Sequence, residues 1–151
     1  MEPVQFSDAV RLTELSESQL REWCGKRGLF RPTVAPRGPG RLALYSWHDL
    51  IALRVFREVI SVFGGRASSW SAGIADLRGQ LDGQFFPNLW GKSAIFANQH
   101  SAIIGTLSAT ALSSAALLVP LNAHLAVIAN GASPEYLQGQ LALVTQVGPS
   151  R

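Results

Sequence analysis

The chain is expected to adopt an α+β fold, and three features of its 151 residues carry that expectation. Apolar side chains recur at helical spacing before residue 30 and again from residue 46 to 81. Between them, residues 31 to 40 (RPTVAPRGPG) hold three prolines and two glycines, too many breakers for a helix. Beyond residue 92, short β-favouring apolar runs alternate with turn residues. With 47% hydrophobic and only 15% charged residues, the chain has ample material for a core, which excludes wholesale disorder. The organisation predicted is a first domain over 6–81, a linker over 82–91, and a small α/β unit over 92–151 that ends in a weakly ordered tail.

In order along the chain, Ser7 or Asp8 is expected to cap a short first helix whose apolar stripe begins with Val10 and Leu12. Leu15-Ser16 reads as a turn, with Ser16 capping a second helix that buries Leu20 and Trp23 and exposes Glu17, Gln19 and Arg21. Gly25 weakens the end of that helix and Gly28 can close it in a left-handed cap. Arg41 to Tyr45 is expected to be a strand, pairing back on Leu29 to Thr33 as a hairpin. Ser46 with Asp49 three residues on is a capping pattern. Leu50, Leu53, Phe56, Ile60 and Phe63 then follow at spacings of 3, 3, 4 and 3, a buried stripe that Gly64-Gly65 ends. Ser68 or Ser69 starts a further helix, with Trp70, Ile74, Leu77 and Leu81 on one face. In the linker, Phe85, Phe86 and Trp90 are expected to pack between the two halves.

From Ser93 to Pro134 there is no Asp, Glu, Lys or Arg. Ala102 to Val119 has the length of a membrane span, but Thr106, Ser108, Thr110, Ser113 and Ser114 make it too polar for an ordinary one. The favoured reading is a hairpin around Asn98-Gln99-His100, a third strand over Ala116 to Leu121, and a short helix from Leu121 to Ile128 ended by Asn130-Gly131. So large a charge-free region suggests a self-association face, or a docking face for a protein partner, through residues 93–134.

Charge is placed unevenly. Between Arg21 and Arg41 stand six basic side chains (Arg21, Lys26, Arg27, Arg31, Arg37 and Arg41) and one acid, Glu22, a patch suited to a polyanion. One cysteine, Cys24, excludes an intrachain disulfide and a cysteine-based metal cluster. It reads as a small helix residue, and a redox role would require Arg21 and Lys26 to lower its pKa. His48, His100 and His124 are far apart in sequence, so no metal is expected. No G-x-S-x-G elbow, P-loop or dinucleotide fingerprint is present, and the chain is expected to be neither an enzyme nor a cofactor binder. The first residues lack the features of a signal peptide, so a cytoplasmic, nucleoid-associated location is the default expectation.

Ser16, Leu20-Arg21, Trp23, Gly28-Leu29-Phe30-Arg31-Pro32, Gly40-Arg41, Tyr45, Asp49-Leu50 and Leu53 form a combined pattern. Over Phe6 to Leu81, about half the chain, this resembles the winged helix-turn-helix DNA-binding domain of the MerR family of bacterial transcription regulators. The resemblance implies a recognition helix over Ser16 to Lys26, with Ser18, Gln19 and Arg21 near the major groove. It places Arg37 and Arg41 in a wing that grips the DNA backbone, and makes Tyr45 an aromatic phosphate contact. Ser16, Ser18, Gln19, Arg21, Lys26, Arg37, Arg41 and Tyr45 are thus the candidate DNA-binding residues.

The chain also departs from that family. One extra residue between Trp23 and Gly28 leaves open whether Arg21 or Glu22 faces the groove. Gly83, Pro87 and Gly91 interrupt the region where the family has a long dimerising helix, and the metal-sensing cysteines are absent. The expected function is a dimeric, sequence-specific regulator of double-stranded DNA. The alternative is a protein-interaction module, such as the DNA-binding antitoxin of a toxin–antitoxin pair or a membrane-tethered adaptor.

Overall fold

A computed structural model of the chain describes residues 1–38, 40–106 and 115–131. Among them are five α-helices and a three-stranded antiparallel sheet, an α+β fold. The tail expected beyond residue 131 lies outside the described residues, as do residues 107–114.

Helix α1 (Phe6–Thr13) begins earlier than its serine and aspartate suggest: Gln5 is the N-cap and makes no side-chain cap bond. It buries Ala9 and Leu12 and ends at Glu14, which adopts a left-handed conformation with φ 59°. A non-glycine residue there is strained, and Arg54 and Arg57 hold its carboxylate at 3.1 and 3.7 Å. Helix α2 (Glu17–Arg21) starts at Ser16 as expected, in a full capping box with Gln19. It continues into a π-helical turn over Glu22–Lys26, closed by Arg27 N–H donating to Glu22 O at 2.9 Å. A π turn takes one more residue than an α turn. Trp23, within that turn, reaches the core, 4.2 Å from the Phe56 ring.

The hairpin forms with different partners from those expected. Leu44 pairs with Val34, and Tyr45 pairs with Val4 at the N-terminus, rather than with Leu29–Thr33. Leu29–Thr33 is otherwise engaged. Phe30 N–H donates to Trp23 O, and Thr33 binds Asp49 and Ser46 at the start of the next helix.

Helix α3 (Trp47–Phe63) opens on the Ser46–Asp49 capping box and runs through the centre of the molecule. Leu50, Ile51, Ala52, Leu53, Val55 and Phe56 are all fully buried, because neighbours lie on every side. Its last turn leaves the core: Phe63, expected to be buried, is 55% exposed beside an exposed Val62. Helix α4 (Ala67–Leu81) is capped by Arg66 without a side-chain bond and begins one to two residues before the expected serines. Its buried stripe is the predicted Trp70, Ile74, Leu77 and Leu81. Gly73 on the same helix passes so close to the sheet that an added Cβ would lie 2.7 Å from Gln99 O.

The segment 82–91, expected as a linker, folds into a 3-10 turn (Phe86–Leu89) that buries Phe86 and Leu89 in the cluster to which both halves of the chain contribute. Phe85 points away and is 76% exposed. Strands β1 (Ser93–Asn98) and β2 (Ser101–Gly105) form the predicted hairpin, with Asn98 Oδ1 accepting His100 N–H and Ser101 N–H at its tip. Strand β3 (Leu117–Pro120) pairs with the other side of β1, giving the order β2-β1-β3. Helix α5 (Asn122–Gly131) runs through Asn130-Gly131 instead of ending before them, and packs on α1 and α3. No helix of the described residues is long and apolar enough to cross a membrane, and Ala102–Gly105 is strand.

Candidate nucleic-acid interface

The candidate residues divide into an exposed helix face, an exposed ribbon and one buried aromatic. Ser16, Ser18, Gln19, Arg21 and Lys26 share the solvent side of α2 and its π turn, while Leu20 and Trp23 anchor the other side. Ser16 and Gln19 are already occupied with each other. Ser16 Oγ accepts Gln19 N–H at 3.1 Å, and Gln19 Oε1 accepts Ser16 N–H at 3.1 Å. Gln19 thus reaches solvent with its amide nitrogen while its carbonyl holds the helix start. Ser18 Oγ lies 3.1 Å from Ser16 Oγ. Arg21 sits over the Phe6 ring and pairs with Glu17 at 3.2 Å, and Arg27 pairs with Glu22 at 3.4 Å. These pairs are exposed and worth about 0–1 kcal/mol each, so a phosphate can displace the carboxylate at small cost.

Lys26, Arg31, Arg37 and Arg41 are exposed and form no ion pair among the described residues. Arg37 and Arg41 sit on the ribbon tip, where Arg41 N–H donates to Gly38 O at 3.4 Å. Gly38 and Gly40 take φ values of 89° and 80°, backbone that a side chain would strain. Two exposed aliphatics, Val34 and Leu42, accompany these arginines. Arg31, one of the six basic side chains of the charged window but not among the candidate contacts, stands in the Gly-Leu-Phe-Arg-Pro run at the ribbon's entry.

Tyr45 is placed otherwise than expected. It is 2% exposed and lies in the core beside Cys24. Burial, with Cys24 and Asp49 nearby, pushes its hydroxyl pKa upward. Its backbone clamps Val4, and the ring faces inward, so Tyr45 leaves the set of solvent-facing contacts. Cys24 changes with it. Burial pushes the thiol up to about 12, opposite to what a redox-sensitive thiolate requires.

A polar clamp that sequence reading missed fixes the ribbon's root. The fully buried carboxylate of Asp49 accepts Thr33 N–H at 2.7 Å, Ser46 N–H at 2.9 Å and the Arg78 guanidinium from α4. Arg78 also pairs with Asp82 and donates to Thr33 Oγ1 at 3.1 Å. Asp49 was legible only as a helix cap, and nothing in the local pattern marks Arg78 as its partner. A cleft of about 470 Å³ lies between this root and α4, lined by Leu29, Phe30, Arg31, Ala75 and Gly79 among others. The Arg78 cation in its wall is already neutralised by two carboxylates. His48 beside the clamp stacks on Trp47, and its pKa is lowered by burial and by Arg78.

No protein-family model matches this chain, and no curated protein is similar enough to count as a relative. Among the described residues no cluster of histidine, cysteine and carboxylate side chains has the makings of a metal site.

Proposed function

We propose that the protein binds double-stranded DNA as a winged helix-turn-helix regulator of MerR-like type, with helix 16–26 in the major groove and ribbon 34–44 as the wing. The observation that carries this reading is the pairing of two exposed elements, one polar and one arginine-tipped, both rooted in the same buried helix. Trp23 ties the first to Phe56 of α3, and the Asp49 clamp ties the second to the α3 N-terminus. A rigid root matters because base contacts select sequence only when phosphate contacts hold the register.

In this reading Lys26, Arg31, Arg37 and Arg41 supply phosphate affinity, being cations with no partner to give up among the described residues. Arg21, Ser18 and the Gln19 amide nitrogen supply base-edge contacts. Arg21 sits over the Phe6 ring with its charge exposed, which supports Arg21 rather than Glu22 as the residue that faces the groove. Two copies placed by a dimer would read half-sites one or more helical turns apart.

Selection of bound duplexes from random DNA by the purified protein tests the proposal. A repeated half-site at fixed spacing is expected. Recovery of unenriched sequence would leave the charge-free second half, and hence a protein-interaction module, as the better reading.

A further inference from the structure

The two edges of the sheet are treated differently, and the difference points to a partner. In the β1–β2 register, Ser93 faces Gly105 and Ile95 faces Ile103, so Ala102 and Ile104 turn their backbone groups outward. Helix α4 meets them there. Asp76 accepts Ala102 N–H at 2.9 Å, and the Gln80 amide accepts Ile104 N–H at 3.2 Å while donating to Ala102 O. That edge is closed to another strand.

The β3 edge has no such cover among the described residues. Leu121 N–H donates to Lys92 O at 3.0 Å, and Ser93–Pro120 through Phe96–Leu117 continue that register. Val119 and Leu117 therefore bond to β1, whereas Leu118 and Pro120 turn their backbone groups outward. Pro120 has no N–H, so its place at an edge costs the sheet nothing. Edge strands are ordinarily guarded by lysine, other charges or bulges. From residue 93 to residue 131 this chain has no charge at all.

We infer that β3 is the dimer seam, pairing antiparallel with β3 of a second copy across a two-fold axis at Leu118. That register suits this edge in particular. Leu118 exchanges both its bonds with Leu118 of the partner subunit, and the N–H of Ala116 reaches the far Pro120 carbonyl. The missing proline donor then falls where only one acceptor, Ala116 O, goes without. Roughly four interchain hydrogen bonds result, more than a shift by two residues towards Pro120 allows. The side chains agree. Ile103, Ile95 and Leu118 lie side by side across the strands and outside the main core cluster, Ile103 exposed, Leu118 half-buried and Ile95 buried. A two-fold axis at Leu118 extends this row into the second copy and joins two three-stranded sheets into one. A second copy, unlike an arbitrary partner, brings the same row and the same proline in complementary register.

This inference supplies the pairing that the DNA-binding reading uses, yet its test needs no DNA, so each can fail alone. Sedimentation equilibrium of the full chain should show a dimer. Leu118→Lys, which sets two like charges at the axis and breaks no intrachain ladder bond, should weaken it about a hundredfold or more. A wild-type chain that is monomeric at about 100 µM, or a folded Leu118→Lys variant that dimerises as well as wild type, overturns the proposal. Hydrogen exchange on the unaltered chain decides independently of any variant. The Leu118 amide should gain protection as protein concentration rises. Protection that is absent at every concentration, or complete in the monomer, overturns it as well.

Discussion

The ribbon over 34–44 and the sheet over 93–120 are both built from extended chain, yet they are held in opposite ways. The ribbon is closed by one reciprocal pair of backbone bonds, Val34 with Leu44, and carries Arg37 and Arg41 into solvent. The sheet has ladders on both sides of β1, unbroken towards β3 and shifted in register between Ile95 and Asn98 towards β2, with side-chain bonds along its β2 edge and no formal charge. Of these two segments, the charged one has the fewer backbone ties and the charge-free one the more. In the proposed function a ribbon that adapts to a polyanion benefits from few internal bonds, provided its root is fixed. In the proposed dimer a self-complementary edge benefits from rigidity.

If the ribbon's usefulness depends on its root, breaking the clamp should do the greatest damage. Arg78→Ala leaves the Asp49 carboxylate buried without its cation and should cost about 3–5 kcal/mol in urea-induced unfolding. A loss under about 1 kcal/mol would mean that Thr33 and Ser46 alone satisfy Asp49.

The sheet's attachment to α4 is the next point to break. Ala is the better helix former by about 1 kcal/mol, so Gly73→Ala would stabilise an open helix. Here its Cβ meets the Gln99 carbonyl, and a net loss of about 1–3 kcal/mol is expected. A stabilised variant would show that α4 and the hairpin tip do not touch.

A smaller effect should come from pH, through the second polar knot. Arg54 Nε donates to His124 Nδ1 at 3.2 Å, and a guanidinium cannot accept, so the imidazole is neutral and offers Nε2–H to Glu58. Burial lowers the His124 pKa below its ordinary 6.5, with Arg54 adding to it and Glu58 and Glu14 opposing. The unfolded chain then takes up more protons than the folded one as pH falls. The stabilisation is whole above about pH 6.5 and drains away below it. Thermal melts of wild type and His124→Gln should diverge at neutral pH and converge in acid. Parallel curves would remove His124 from the account.

What could be read from the sequence was local. Both capping boxes, the β1–β2 hairpin and the α4 stripe follow from residues within a few positions of one another. Long-range contacts could not be read. Tyr45 shows as an aromatic stop after a ribbon, and only the fold decides that its ring turns inward beside Cys24. Phe63 keeps the α3 period, but the core ends a turn before it. Nothing in the composition marks the π turn, and Arg78 and Gln80 look like ordinary polar positions of a surface helix. The exposed cations were legible for the converse reason: their environment is solvent whatever the packing.

In the proposed function DNA is held by Lys26, Arg31, Arg37 and Arg41, cations without an ion-pair partner among the described residues. The most direct test is the salt dependence of duplex binding, measured for wild type and for Arg37→Ala/Arg41→Ala. Wild type should bind duplex DNA at low salt with log K falling linearly in log salt concentration. The double variant should bind all sequences more weakly, with a slope smaller by about two. Absence of binding at about 50 mM salt, or an unchanged slope in the double variant, would contradict the account.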